Sequence, residues 1–484
     1  MKCDLLLTNG VVIDGTGQPR FRADVAVQNG KILAVGLNLD LEASTIVDVS
    51  GAAIAPGFID VHTHDDRLVL ADPLMAPKIS QGATTVVTGN CGISLAPLGQ
   101  RKAVAPINLV ANDNSEQRFE TFAEYFAALE AHPSTVNVAA LAGHTSMRVV
   151  TLSELDRAAT AEEIAKMQKL VQEALEAGVV GVSTGLYYAP AQAATASEVQ
   201  AVFEPLRGTS AIIASHLRDE AEHVLEAMTE AMSIANSLGV RQIISHHKVN
   251  GRANHGRSKE TLALIDQATQ HTDVCMDCYP YVASSTVLRQ DAVEQAARTL
   301  IAWSTAKPET AGRFVDDLLK EQSLGLTEFL ASLQPAGAIY FSMDEADVER
   351  IMAHPQTMIG SDGLPHDTFP HPRLWGAFPR VLGHYARDRK IFPLETAIHK
   401  MTGMPAAKFG MHQRGLIAQG YAADLVVFDP QTVRDCASFT DPKRPAAGIE
   451  RVYVNGIISW RNGAATGARA GQVIRRKECS TQHL

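Results

Sequence analysis

Six cysteines in 484 residues are too few to staple a chain of this length, so a disulfide framework is excluded. Basic residues are the minority. The 43 Lys and Arg against 53 Asp and Glu leave a formal net charge of -10, which gives no electrostatic footprint for nucleic acid. No run of about 18 apolar residues occurs, so there is no candidate transmembrane helix and no membrane partner is expected. The opening MKCDLLLTNGVVIDG lacks the long apolar core and small-residue cleavage site of a secretory signal. A cytoplasmic location is the expectation. Repeats and low-complexity tracts are also missing. Two of the scarce cysteines, Cys275 and Cys278, form a C-x-x-C, but no second pair follows. Both fall in an apparent strand, VCMDCY, where positions i and i+3 face opposite ways, so they read as small apolar residues.

What is present is an ordinary enzyme composition, 46% hydrophobic and 20% charged, in a chain long enough for a large domain and a smaller partner. Residues 1–53 read as short strands (DLLLT, VVIDG, ADVAV, KILAVG) punctuated by Asn-Gly and Gly-Thr-Gly turns. Residues 406–484 do the same, with ADLVVFD and then RVYVNGIISW. The two ends are expected to meet as one small β-sandwich domain.

Between them, over 54–405, the grammar changes to apolar runs alternating with helical patterns. The runs are AIAPGFID, ATTVVTG, VNVAALAG, VVGVSTG, SAIIAS, RQIIS, DVCMDCY and TMIGSD. Amphipathic segments such as TAEEIAKMQKLVQEALEAG and DEAEHVLEAMTEAMSIANSLG separate several of them, the second stopping at Gly239. Eight such runs predict an α/β fold, a parallel (β/α)8 TIM-like barrel. A ninth run, AIYFSM, lies close before the last, and 286–335 is weak in strand character, which suggests an insertion.

In such a barrel the functional side chains sit at the C-terminal ends of strands. The first run ends in GFIDVHTHDD, where His62 and His64, two apart on an extended backbone, project to one side and can grip a metal ion together. The second runs into TGNCGIS, placing Cys91 in a glycine-bounded turn, where a thiolate is a strong zinc ligand. The fifth and sixth both stop at Ser-His. His216 and His246 then stand one strand-helix unit apart, at equivalent positions on neighbouring strands. His247 points the other way. The last run ends in MIGSDGLPHD, and Asp362 supplies a carboxylate there. His144, in LAGHTSMR after the third run, reads as structural more readily than as catalytic.

The motifs PGFIDVHTHDD, TTVVTGNCGIS, SHLRDE, SHHKV, GRSKETLALI, MIGSDGLPHD and HPRLWG, with the late GYAADLVVFD and VYVNG, resemble the amidohydrolases, and within them the N-acyl-D-amino-acid deacylases. The similarity runs nearly end to end. It departs from the common pattern of that superfamily in having Cys91 and no metal-bridging lysine. The resemblance implies a zinc ion held tightly by Cys91, His216 and His246. A second, weaker site would use His62, His64 and Asp362, with Cys91 able to serve both. It further implies Asp362 as general base and acid, and a lid formed by the insertion. Lys248, Tyr279, Ser285 and Arg373 are then the candidates for the substrate α-carboxylate, with Tyr188 near the acyl end or the scissile carbonyl. The expected reaction is hydrolysis of an N-acyl-D-amino acid, with neutral hydrophobic side chains favoured; the sequence leaves the oligomeric state open, a monomer included. Two alternatives stay open. One is a D-glutamate- or D-aspartate-specific deacylase, for which Arg289 is the residue to watch; the other is a cyclic-amide hydrolase of the hydantoinase or dihydroorotase kind.

Overall fold

Asn-Gly pairs shape both ends of the chain. Asn29 and Gly30 (φ 51° and 73°) and Asn455 and Gly456 (φ 47° and 80°) adopt the paired left-handed backbone that joins twisted antiparallel strands in two-residue turns. In the computed structural model, which describes residues 2–99, 104–111 and 117–477, the chain opens with β1 (Lys2–Val12), β2 (Phe21–Gln28), β3 (Lys31–Gly36), β4 (Glu42–Asp48) and β5 (Ala53–Pro56). A single residue then leads to β6 (Phe58–Asp60), followed by β7 (Ala83–Thr88), β8 (Asn137–Gly143), β9 (Gly181–Gly185), β10 (Ile212–His216), β11 (Arg241–Ile244) and β12 (Val274–Cys278). Next come β13 (Ala283–Val287), β14 (Thr299–Ser304), β15 (Ala336–Phe341) and β16 (Thr357–Ile359). The last strands are β17 (Leu425–Phe428), β18 (Ile449–Val454), β19 (Ile457–Arg461) and β20 (Ala464–Ala465).

The two ends build one nine-stranded sheet, in the order β20-β19-β18-β17-β5-β1-β2-β3 with β4 also paired to β1. It encloses a core of its own around Leu7, Val25, Ile54, Leu425 and Val427. The run AIAPGFID, expected as one strand, is two strands in different sheets. β5 belongs to the terminal sheet and β6 to the barrel, and the chain turns from one to the other at Gly57, where a Cβ would lie 2.2 Å from Thr84 Oγ1.

The eight-stranded parallel sheet runs β6-β7-β8-β9-β10-β11-β12-β16. Its strands are buried on both faces, which is why they read as continuous apolar runs. Ile59, Val87, Leu141, Ile212, Ile243, Cys275 and Met358 fill the interior, closed at one end by Met404, Phe409 and Met411. Helices pack outside. Ala161–Ala177 starts with a capping box on Thr160 and Glu163, and Val224–Leu238 ends at left-handed Gly239 (φ 70°). No strand pairing joins β16 to β6. That seam carries the isolated bridge Thr63–Gly363 and the hydrogen bond from Asp362 N to His62 O (2.8 Å).

Between β12 and β16 lies a three-stranded antiparallel sheet, β13-β15-β14. The ninth run, AIYFSM, supplies its central strand, so the inserted sheet extends on both sides of 286–335, from Ala283 to Phe341. Among the described residues, no helix is long and apolar enough to cross a membrane.

Candidate functional site

Six side chains from five strand ends converge over the open end of the barrel. His62 and His64 follow β6, Cys91 follows β7, His216 ends β10, His246 follows β11 and Asp362 follows β16. All six are buried. Cys91, His246 and Asp362 adopt left-handed backbone (φ 55°, 36° and 50°), which turns the chain sharply as it leaves each strand. Such conformations cost about 1–3 kcal/mol in a non-glycine residue, and the surrounding packing must hold them.

Cys91 Sγ is central. It lies 3.3 Å from His62 Nε2 and 3.2 Å from His246 Nε2, and His246 Nε2 is 2.9 Å from His216 Nδ1. On the other side Asp362 Oδ1 is 3.2 Å from His64 Nε2 and 3.6 Å from His62 Nε2. Two donor triads result, His62–His64–Cys91 and Cys91–His216–His246, and the ligand atoms within each lie within 4.8 Å of one another. Ligands about 2.0–2.3 Å from a tetrahedral zinc stand at such separations, and a thiolate with imidazoles is a zinc donor set. The residues therefore fit the metal.

The electrostatics agree. Burial alone would push the Cys91 thiol up, but the His246, His62 and His216 imidazoles outweigh it and hold the thiol well below its ordinary range. Burial would likewise raise Asp362, yet Arg373 and the imidazoles of His246, His64 and His62 hold its carboxyl well below the usual carboxylate range. The centre of the cluster is thus a place where positive charge is stabilised.

Two acidic residues complete the surroundings, and neither was singled out from the sequence. Asp277, in β12, has Oδ1 3.3 Å from His62 Nδ1 and accepts the His246 backbone N–H at 2.9 Å, so it sets the orientation of one ligand from each triad. In the sequence it is a lone carboxylate inside an apolar buried strand, VCMDC, beside Cys275 and Cys278. Glu220 Oε1 lies 3.2 Å from His246 Nδ1 and accepts from Lys248 Nζ at 2.7 Å. Burial would raise that carboxyl; Lys248, His216 and His246 bring it below the carboxylate range instead.

The cavity above the cluster is walled partly by the inserted sheet, through Ser284, Ser285 and Thr286 of β13 and Tyr340 of β15. Of the five proposed substrate-binding residues, Lys248, Ser285 and Tyr188 line it. Tyr188 Oη is 3.0 Å from Thr286 Oγ1, and among the described residues Ser285 Oγ has no hydrogen-bond partner. Arg373 stands behind Asp362 instead of in the wall. Its Nη1 is 2.8 Å from Asp362 Oδ2, its Nη2 donates to Ser285 O (3.1 Å), and its guanidinium lies 4.5 Å from the Tyr279 ring centroid. Arg289 is engaged elsewhere, 2.8 Å from Asp291 and stacked over Tyr187.

The set-aside residues fall outside the cluster. Cys275 faces the barrel interior and Cys278 the outer core. Cys479 lies outside the described residues. His247 turns away, 2.8 Å from Thr261 Oγ1. His144 starts the helix His144–Thr151 with its ring edge-on to Phe203, and burial, with Arg148 and Arg218, pushes its pKa down to about 3. Between pH 3 and 6.5 the unfolded chain therefore binds a proton at His144 that the folded chain refuses. Stability from the neutral ring is complete above pH 6.5 and lost as pH falls. Urea unfolding at a series of pH values should show His144→Asn flattening the acid slope by up to one proton, about 1.4 kcal/mol per pH unit. An unchanged slope would refute the assignment.

The chain as a whole has counterparts among known proteins. The chain is 54% identical, over 98% of both sequences, to D-aminoacylase of Alcaligenes xylosoxydans xylosoxydans. It is 50% identical, over 98% of its own length and 95% of the relative's, to N-acyl-D-aspartate deacylase of the same organism. A D-aminoacylase structure described as having a binuclear metal centre with one-metal activation and second-metal attenuation superposes with a TM-score of 0.96 at 52% identity, covering 98% of this chain and 100% of that one. The N-acyl-D-glutamate deacylase of Bordetella bronchiseptica, solved with zinc and a phosphonate mimic of the tetrahedral intermediate, matches with a TM-score of 0.94 at 44% identity over the same shares. The amidohydrolase family profile matches residues 45–459. With barrel, donor cluster and full-length similarity in agreement, the chain belongs to the amidohydrolase family.

Proposed function

We propose that the protein hydrolyses the amide bond of N-acyl-D-amino acids in a zinc-dependent reaction, releasing a carboxylic acid and a free D-amino acid. The observation that carries this reading is the single buried thiolate of Cys91 standing in both donor triads, with the Asp362 carboxylate 3.2 Å from His64 beneath the cavity. Cys91, His216 and His246 hold one zinc tightly. His62, His64 and Asp362 form the weaker half, sharing Cys91. A bound zinc brings the pKa of water to about 7 and polarises the amide carbonyl. Asp362 takes the proton from the attacking water and delivers it to the departing nitrogen, which cannot leave as an anion. Arg373 keeps Asp362 ionised and ready to accept that proton. Lys248 and Ser285, in the cavity wall, receive the α-carboxylate end, Tyr279 and Arg373 support that wall from behind, and Tyr188 stands by the scissile carbonyl.

Charge in the cavity supports a neutral side chain over an acidic one. Among the described residues the one Lys or Arg lining it is Lys248, already bonded to Glu220, and the wall also carries Asp219 and Asp291. An acidic side chain would meet carboxylates. The purified, zinc-quantified protein is expected to turn over N-acetyl-D-methionine rapidly, N-acetyl-D-glutamate poorly and N-acetyl-L-methionine not at all. Turnover of the D-glutamate compound alone would keep the reaction and overturn the side-chain assignment. No turnover of any of the three by zinc-loaded protein would sink the deacylase reading and bring the cyclic amides forward. Asp291→Asn should free Arg289 and raise kcat/KM for the D-glutamate substrate about tenfold relative to D-methionine, the effect of one charge-assisted hydrogen bond. No change in that ratio would clear Arg289 of any part in selectivity.

A further inference from the structure

The two donor triads rest on mechanically different parts of the barrel. Cys91, His216 and His246 leave β7, β10 and β11, which belong to an unbroken run of paired strands from β6 to β12. His62 and His64 leave β6 and Asp362 leaves β16, and these two strands face each other across the one unpaired seam. The weaker half-site therefore straddles a gap in the sheet, crossed by the Thr63–Gly363 bridge and the Asp362 N–His62 O bond but by no strand ladder, so side chains must hold the rest of its geometry.

A buried ion cluster occupies that gap. Lys78, on the short helix Ala76–Ile79, is fully buried and donates to Asp60 Oδ2 and to Ser361 Oγ, both at 2.7 Å, with Asp65 Oδ2 at 3.3 Å. Asp60 ends β6, two residues before His62; Ser361 immediately precedes Asp362. The carboxylate of Asp60 also crosses the seam, accepting the Ser361 backbone N–H at 2.8 Å and the His62 backbone N–H at 3.4 Å. Ser361 Oγ in turn accepts from Gly363 N at 3.2 Å, which fixes the turn on which Asp362 takes its left-handed backbone. The approach is close: a Cβ on Gly360 would lie 2.6 Å from His62 Cβ. A buried lysine surrounded by two carboxylates and a hydroxyl is costly to assemble, and apolar residues of equal volume would pack the gap as well. Its geometry instead ties one ligand-bearing loop to the other.

We propose that Lys78 is a positioning residue that clamps the barrel seam through Asp60 and Ser361, and so sets the distance from His62 and His64 to Asp362 without bearing on the Cys91–His216–His246 site. The inference rests on the metal-site reading above. It predicts that the two metal affinities can be separated by a change that touches no ligand. Lys78→Met leaves Asp60 and Asp65 buried without a counter-ion and risks the fold, so Ser361→Ala, which removes one arm of the clamp and keeps the Asp60–Lys78 pair, is the deciding variant.

Apo-protein would be titrated with zinc against a metallochromic indicator to give first and second dissociation constants, alongside kcat, KM and melting temperature. The wild type should bind two zinc ions unequally. Ser361→Ala should weaken the second by at least about tenfold, the scale on which supporting residues tune a metal site. It should leave the first within a few-fold and lower kcat more than KM, because Asp362 is displaced. Lys78→Met, where circular dichroism shows it folded, should do the same to a greater degree. A merely structural cluster would lower the melting temperature with the ratio of the two constants unchanged. That result, or equal weakening of both sites, overturns the clamp. A wild type that binds no zinc overturns the metal reading itself, a separate outcome.

Discussion

Cys91→Ala should leave the protein without tightly held zinc and with its activity lowered by at least about 10⁴-fold, since ordinary water is far too weak an acid to supply the nucleophile unaided. The size of the effect comes from position. Replacing His216 or His246 takes a donor from one triad, and replacing His62 or His64 takes one from the other. Only Cys91 belongs to both. The substitution also strands three buried imidazoles, His62, His216 and His246, around a lost negative charge. Zinc analysis after exhaustive dialysis, with circular dichroism to confirm the fold, checks the expectation. The contrast to seek is His62→Asn, which should keep one zinc per chain. A Cys91→Ala protein that retains a full equivalent of zinc and wild-type turnover would show that the sulfur is a bystander.

Asp362→Asn should lower kcat by about 10²–10⁴-fold, the usual weight of a positioned acid-base group, while the zinc held by Cys91, His216 and His246 stays bound. Asparagine is the informative replacement because the position is left-handed (φ 50°), a conformation that Asn tolerates well. It keeps the shape and removes both the proton acceptor and the charge facing Arg373. If Asp362 delivers a proton to the leaving nitrogen, the loss should shrink when that proton matters less. An ester analogue built on a D-2-hydroxy acid, whose alkoxide departs more readily, should suffer less than the amide. Equal losses on both substrates would confine Asp362 to water activation, and no loss on either would remove it from the mechanism. The acid limb offers no shortcut, because Arg373 and the surrounding imidazoles hold Asp362 ionised to well below the usual carboxylate range.

Much of this architecture is written in local patterns. The eight apolar runs correspond to the eight barrel strands because a strand buried on both faces has no polar alternation to obscure it. The same uniformity hid two features. AIYFSM has the composition of a barrel strand, and only its partners, β13 and β14 in antiparallel register, place it in the inserted sheet. AIAPGFID looks continuous, and the change of sheet at Gly57 is dictated by Thr84 from a later strand. In the site, His62, His64, Cys91, His216, His246 and Asp362 were legible because each ends an apolar run, where a barrel puts its chemistry. Asp277, Glu220 and Lys78 were not. Each matters through an atom far away in the chain, and no spacing along the sequence encodes that proximity.

The terminal sheet also has a history in time. β5 feeds directly into the strand that leads to His62 and His64, yet its own outer neighbour is β17, with Pro56 opposite Leu425. On the ribosome β5 must therefore wait, one edge bare, until Leu425 has emerged, while the barrel takes shape beside it. Pairing across so long a loop is slow, and an unpaired apolar edge invites the wrong partner. Shortening the chain from its C-terminal side past β17 would remove the strand that shields this edge, so such truncations should surface as insoluble protein before they surface as altered catalysis.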